Sequence, residues 1–149
     1  MIDRFETFTV LINRISRNVR KIKNLEMSEH GLRSSHISCL YYLYKTESMT
    51  ATELCEKCEE DKATVSRSIN FLEEKGYEMT QSKSSKKYKN PITLSEKGQN
   101  IGQEIAGKID RVLDEISREL SEDERIEFYH SLTVISSGLD KMVKELECK

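Results

Sequence analysis

Proline is almost missing from this 149-residue chain: Pro91 is the only one. Inside a helix proline removes a backbone donor and clashes with the preceding turn, so its scarcity permits long uninterrupted helices. The chain also lacks any apolar run near the roughly 18 residues that a membrane-spanning helix needs. Its first residues, Met1-Ile2-Asp3-Arg4-Phe5, lack the apolar core of a secretion signal. These absences predict a cytoplasmic protein. In that compartment the four cysteines (Cys39, Cys55, Cys58, Cys148) are expected as reduced thiols and not as a disulfide framework. No nucleophile–base set, phosphate-binding loop or paired metal motif is present, so the sequence points to no enzyme, no cofactor and no bound metal.

What is present is charge, and its placement matters more than its sum. Charged residues make up 34% and hydrophobic residues 36% of a length that suits one domain, and the net charge is −2. Residues 62–90 hold seven basic side chains (Lys62, Arg67, Lys75, Lys83, Lys86, Lys87, Lys89) against three acidic ones (Glu73, Glu74, Glu78). That segment is +4, and the remaining 17 basic and 23 acidic residues give −6. A basic stripe on an acidic body steers a polyanion to one face.

The apolar pattern predicts mostly helix. Phe5, Phe8, Ile12, Ile15, Val19 and Ile22 recur in steps of three and four, which predicts an amphipathic helix over 2–26 with a narrow seam suited to another helix. A break near Gly31 precedes a helix over about 35–46, with Ser34 or Ser35 as its cap and Ile37, Leu40, Tyr41, Leu43 and Tyr44 facing a core. Thr50-x-x-Glu53 is a capping box, so a short helix is expected over 51–58. Asp61 suits the N-cap of a helix from Lys62 to Lys75, and Gly76 suits the left-handed position that ends it. Val65, Ile69 and Leu72 share one face of that helix, leaving Thr64, Arg67, Ser68 and Asn70 to meet a partner. Tyr77–Gln81 and Pro91–Leu94 read as strands of a hairpin with a long basic tip. Thr93-x-x-Glu96 predicts the cap of a helix over 95–118, in which Gly98, Gly102 and Gly107 mark close packing or a bend. Ser121-x-x-Glu124 opens a last helix over 122–146, along which Phe128, Leu132, Ile135, Leu139 and Met142 step by four and three.

A short helix, a turn, a second helix with small polar residues and an arginine, then a basic hairpin: each part has a physical task on duplex DNA. The second helix needs donors and acceptors for the major groove, and Thr64, Ser66, Arg67 and Asn70 supply them. Lys83, Lys86, Lys87 and Lys89 on the hairpin, with Lys62 on the helix, suit phosphates. Thr50 and Thr52 at the start of the first helix are further contacts, and backbone N–H groups at both helix N-termini suit phosphate oxygens, although the Asp61 carboxylate opposes this.

Met49-Thr-Ala-Thr-Glu-Leu54, Asp61-Lys-Ala-Thr-Val-Ser-Arg67, Phe71-Leu-Glu-Glu-Lys-Gly76 and Thr93-Leu-Ser-Glu-Lys-Gly98 resemble the MarR family of bacterial transcriptional regulators. The match is specific over 49–98 and looser over the flanking helices. The resemblance implies a mainly α fold with a small β-hairpin wing: a winged helix-turn-helix over 31–95 and a helical dimerisation domain from 1–30 and 96–149. It implies a homodimer on a pseudo-palindromic operator, acting as a repressor, with a small-molecule effector bound between the domains. Phe5, Phe8, Ile12 and Ile15 with Phe128, Leu132, Ile135, Leu139 and Met142 would form the dimer seam. Thr64, Ser66 and Arg67 match recognition-helix residues, and 82–90 matches the wing. Two positions depart from the family. The wing carries Lys86-Lys87-Tyr88-Lys89 in place of Asp-Arg-Arg, so a lysine or Tyr88 must make the usual arginine contact. The turn before the recognition helix reads Glu59-Glu60 in place of glycine and a hydrophobe.

Four further features have bland and sharp readings. A single Cys55-x-x-Cys58 without a second pair is weak for zinc, and buried small hydrophobes account for it better. Cys39 likewise falls in a core-facing helix, and peroxide sensors of the family carry a cysteine nearer the first helix. His30 and His36, with Glu29 and Cys39, are candidates to line a pocket at the domain junction, although the histidine-rich segment of zinc-sensing relatives is absent. Tyr41 and Tyr42 read first as core; with His36 they are the candidate effector-lining residues. Two rivals therefore stay open: a thiol- or metal-responsive regulator, and a winged-helix interaction module that no longer binds DNA.

Overall fold

The computed structural model describes residues 3–80 and 90–149, the side chains of 79 and 80 excepted. It is mostly helical. A π-type turn over Glu6–Val10 leads into α1 (Leu11–Glu26), followed by a 3-10 turn at Ser28–His30. Then come α2 (Ser34–Thr46), α3 (Ala51–Cys58), α4 (Lys62–Glu74), β1 (Glu78–Thr80), β2 (Ile92–Leu94), α5 (Glu96–Ile116) and α6 (Glu122–Glu147). The expected helix over 2–26 is present from Arg4, residue 2 lying outside the described residues, and it widens to π-type geometry over Glu6–Val10, with Asp3 Oδ1 accepting from the Glu6 N–H at 2.8 Å. Two compact units result, Met1–Lys108 and Ile109–Lys149, divided within α5.

The first unit is built around α2. Ile37, Leu40 and Leu43 of α2 are buried with Leu54 of α3, Val65 and Leu72 of α4, Ile92 of β2 and Ile105 of α5. α2 packs against α1, α3, α4 and β2, so one helix supports the whole helix-turn-helix. Its cap is neither of the expected serines. Arg33 holds the extended N-cap position, and its backbone N–H donates 3.1 Å to His36 Nδ1. Ser34 is the first helical residue, and its N–H donates to Asn24 Oδ1 at 2.7 Å. A side chain from the end of α1 therefore satisfies the first free N–H of α2.

The end of α4 follows the pattern expected of a glycine-terminated helix. Gly76 is left-handed (φ 78°), its N–H donates to Glu73 O at 3.0 Å, and the Tyr77 N–H donates to Leu72 O at 2.8 Å. β1 and β2 pair antiparallel with Glu78 opposite Leu94 and Thr80 opposite Ile92. Ile92 also exchanges two backbone hydrogen bonds with Met49, which ties the wing to the residue before α3.

α5 is capped by Ser95 and not by Thr93: Ser95 Oγ accepts from the Gly98 N–H at 3.1 Å. Two of its glycines answer to close approach. A Cβ on Gly98 would fall 1.9 Å from the Tyr77 carbonyl oxygen, and one on Gly102 would fall 2.8 Å from Tyr44 Cβ. Gly107 meets nothing within 4 Å, so packing does not explain it.

The second unit contains the last turns of α5 and all of α6. Ser121 caps α6 with Glu124 in the reciprocal bonding expected, at 3.2 and 2.7 Å. No residue of α6 is buried. Among the described residues, no helix is long and apolar enough to cross a membrane.

Candidate nucleic-acid interface

α3 and α4 are set by their caps. Thr50 Oγ1 accepts from the Glu53 N–H at 3.2 Å, and Glu53 Oε2 accepts from the Thr50 N–H at 2.8 Å. α3 ends on Glu59 at φ 52°, the left-handed region that a side chain disfavours. The turn geometry that glycine would give is therefore kept without glycine. Asp61 then takes the extended N-cap conformation of α4, its Oδ1 accepting from the Thr64 N–H at 2.7 Å. That hydrogen bond, before any other cause, holds the Asp61 carboxyl below its usual range. A carboxylate thus already bonds to the α4 N-terminus, which argues against a phosphate there.

α4 has an inner and an outer face. Val65, Ser68 and Leu72 are buried; Lys62, Ser66, Arg67 and Asn70 are exposed, and Thr64 is half-buried. The expectation that Ser68 meets a partner is corrected: at 2% exposure it belongs to the core side, one turn from both Val65 and Leu72. The outer residues form a strip, since Ser66 and Asn70 are four apart and Arg67 and Asn70 three apart. Arg67 Nη2 donates to Thr64 Oγ1 at 3.2 Å, so the guanidinium lies along the strip and not out from it. At the start of α3, Thr52 is exposed and Thr50 is half-buried, its hydroxyl oxygen engaged in the cap. The wing stem is in place as β1 and β2. Lys83, Lys86, Lys87, Tyr88 and Lys89 lie outside the described residues.

Glu78 is the feature that the sequence reading missed. It enters the charge balance of residues 62–90 as an acidic residue, yet it is 3% exposed. Among the described residues neither of its carboxylate oxygens has a hydrogen-bond partner. Burial, with the nearby Glu73 second, pushes its pKa up to about 8. Strand alternation could have signalled this, because Glu78 lies opposite buried Leu94 in the register.

The candidate effector residues do not share one role. His36 is stacked on Phe71 of α4, ring centroids 4.1 Å apart. Tyr41 and Tyr42 are half-buried and meet edge to face at 5.4 Å. A cavity of about 640 Å³ lies elsewhere in the first unit, lined by His30, Tyr77, Lys97, Asn100, Ile101 and Glu104 among others; His36, Tyr41 and Tyr42 are not part of its lining.

The suggested grouping of His30, His36, Glu29 and Cys39 does not form as one cluster. Glu29, His30 and Glu104 come together, with His30 Nε2 3.3 Å from each carboxylate. Lys108 Nζ lies 3.5 Å from Glu104 and 3.9 Å from Glu29, so a cation already serves these acids. Cys39 is paired elsewhere: its Sγ is 4.0 Å from Cys58 Sγ.

The comparisons agree with this geometry. Residues 30–77 match the MarR family model. An uncharacterised HTH-type transcriptional regulator of Bacillus subtilis (strain 168) is 28% identical over 119 residues, covering 80% of this chain and 86% of that protein. A MarR transcriptional regulator from Methanosarcina mazei Go1 has the same fold, with TM-score 0.82 at 20% identity over 95% of this chain and 94% of that one. The S. aureus MepR–DNA complex superposes with TM-score 0.78 at 19% identity, covering 92% of this chain and 99% of that one. Residues 30–77 therefore resemble the MarR family, in a chain whose fold is like that of the solved regulators named above.

Proposed function

We propose that this chain is a cytoplasmic DNA-binding transcriptional regulator, working as a homodimer on a pseudo-palindromic operator and acting as a repressor. The observation that carries the reading is the outer strip of α4. Ser66, Arg67 and Asn70 are exposed together, with Thr64 beside them, on a helix whose other face is fixed by Val65, Ser68 and Leu72. Side chains of this kind read base edges in the major groove. The protein in the S. aureus complex, alike in fold, is bound to DNA.

The dimer reading rests on exposed apolar side chains. Phe5, Phe8, Ile12 and Ile15 are exposed, and so are Phe128, Leu132, Ile135, Leu139 and Met142. Stripes of this size on a single chain mark an interaction surface. In this reading 1–30 and 96–149 make the dimerisation domain and 31–95 the DNA-binding domain, and two recognition helices stand roughly 34 Å apart, one DNA turn. The cavity beside Tyr77 supports a small-molecule effector as a second element. It is open to solvent, and it adjoins the turn that ends α4.

Selection of bound duplexes from a random pool tests the reading, with a palindromic consensus expected. Arg67→Ala should weaken binding to the selected duplex by roughly tenfold or more. Unchanged binding would sink the recognition-helix assignment. A monomer at micromolar concentration in sedimentation would sink the dimer.

A further inference from the structure

Two cysteines stand outside the DNA-facing strip and are placed against each other. Cys39 is in the middle of α2 and 1% exposed; Cys58 is the last residue of α3 and half-buried. Their Sγ atoms are 4.0 Å apart, although 19 residues separate them in sequence. We propose that Cys39 and Cys58 are a thiol–disulfide pair, oxidised by hydroperoxides, whose bond ties α2 to the end of α3.

A disulfide needs its sulfurs at about 2.05 Å, so they must close by about 2 Å. Cys58 is well placed to supply the movement. It ends an eight-residue helix, and Glu59 directly after it turns the chain away. Access also assigns the roles, since Cys58 has solvent exposure and Cys39 has almost none. The hydrogen bond from the Cys39 thiol, above all, lowers the Cys58 pKa; the Lys23 ammonium of α1 helps, while burial and Glu60 oppose. The same contact and burial raise that of Cys39, which keeps its proton. Lys23 is held nearby by its hydrogen bond to Ser38 Oγ at 3.2 Å.

The chemistry balances in two displacements. The Cys58 thiolate attacks one oxygen of the hydroperoxide; the S–O bond forms, the O–O bond breaks, and the leaving oxygen departs as water or alcohol after taking a proton. The Cys39 sulfur, losing its proton, then attacks Cys58 Sγ. The S–S bond forms and the S–O bond breaks with release of water. Two electrons pass from the sulfurs to the peroxide.

The regulatory part rests on the DNA-binding reading above. Only Glu59, Glu60 and Asp61 separate Cys58 from the first residue of α4. Drawing Cys58 toward α2 strains the turn that aims the recognition helix, and oxidation should weaken duplex binding about fivefold or more, the lower end of typical coupling between sites.

Peptide mapping of the full chain under non-reducing conditions, after hydrogen peroxide, tests the pair without any DNA. Free thiols should fall from four to two, with a Cys39–Cys58 peptide recovered. Cys58→Ser and Cys39→Ala should each abolish that peptide, and Cys55→Ser and Cys148→Ser should retain it. Cys39→Ala should accumulate a Cys58 sulfenic acid that dimedone traps; Cys58→Ser, at the less buried position, serves if Cys39→Ala folds poorly. An unchanged thiol count, a Cys55–Cys58 link or only intermolecular links through Cys148 would overturn the proposal. On the selected duplex, peroxide should weaken the wild type and leave Cys58→Ser unaffected; equal binding by the oxidised and reduced wild type would overturn the regulatory part. Failure of the reduced protein to bind any duplex would count against the DNA-binding reading alone, since peptide mapping still decides the disulfide.

Discussion

The rings of His36 and Phe71 lie parallel within 8°, centroids 4.1 Å apart, so one pair of aromatic side chains stacks α2 on α4. His36 Nδ1 accepts the Arg33 N–H, which requires a neutral ring at that nitrogen. Burial first, and the Arg33 charge second, lower its pKa from 6.5. The unfolded chain therefore binds more protons below pH 6.5, and this contribution to stability is complete above that value and lost as pH falls. His36→Phe keeps the stack and removes the titration. Its melting temperature should gain on the wild type by a few degrees as pH drops from 7.5 to 5. A pH-independent difference would show that His36 contributes packing alone.

Glu78 has the opposite sign. Its folded pKa is raised to about 8 from 4.5, so the stability it permits is full below pH 4.5 and declines until about pH 8. Glu78→Leu should stabilise the protein on the order of 2 kcal/mol at pH 8 and much less at pH 5. Denaturant titrations at the two pH values would measure this, and an equal gain at both would contradict the buried, unpartnered carboxyl.

Glu59 carries a left-handed backbone at φ 52°. Glu59→Gly relieves that conformation and should gain about 0.5–1 kcal/mol in thermal or denaturant unfolding. It also removes a negative charge next to α4, so on the DNA-binding reading proposed above duplex affinity at low salt should rise. A loss of stability would mean that the side chain has a structural role of its own.

Gly98 and Gly107 make a matched pair within α5. Gly98→Ala sets a Cβ 1.9 Å from a backbone oxygen, which only a main-chain shift can relieve. It should cost about 3 kcal/mol or more. Gly107→Ala meets open space and should stabilise by up to about 1 kcal/mol through helix propensity. Circular-dichroism melts of the two variants, moving in opposite directions, would verify the contrast.

Much of this was legible locally. The capping boxes at Thr50 and Ser121, the Asp61 cap and Gly76 involve groups within a few residues of one another, and each forms as read. The misreadings share another cause. The α2 N-terminus takes Asn24 from α1 in place of a serine cap, and Ser95, two residues on, displaces Thr93 as the α5 cap. Ser68 is polar but sits on the inward arc of α4, where position overrides polarity. The Cys39–Cys58 contact depends on how α2 and α3 pack, which no local spacing encodes, whereas strand alternation could have placed Glu78 on the inner face. Of the candidate site, the α4 strip was legible for the same reason as the caps: helical period assigns its face, and the same period puts Ser68 with Val65 and Leu72.

The neck of the hairpin is closed independently of its tip. Ser95 N–H donates to Tyr77 O at 3.0 Å, Ser95 Oγ to Gly76 O at 2.5 Å, and Lys97 Nζ to Lys75 O at 2.8 Å. These bonds join the start of α5 to the end of α4 without using any residue between 81 and 89. The end of α4 is thus anchored to the start of α5 by residues on the stem side of the hairpin. On the DNA-binding reading proposed above, substitutions of the lysines between 81 and 89 should change affinity for phosphates without re-aiming α4.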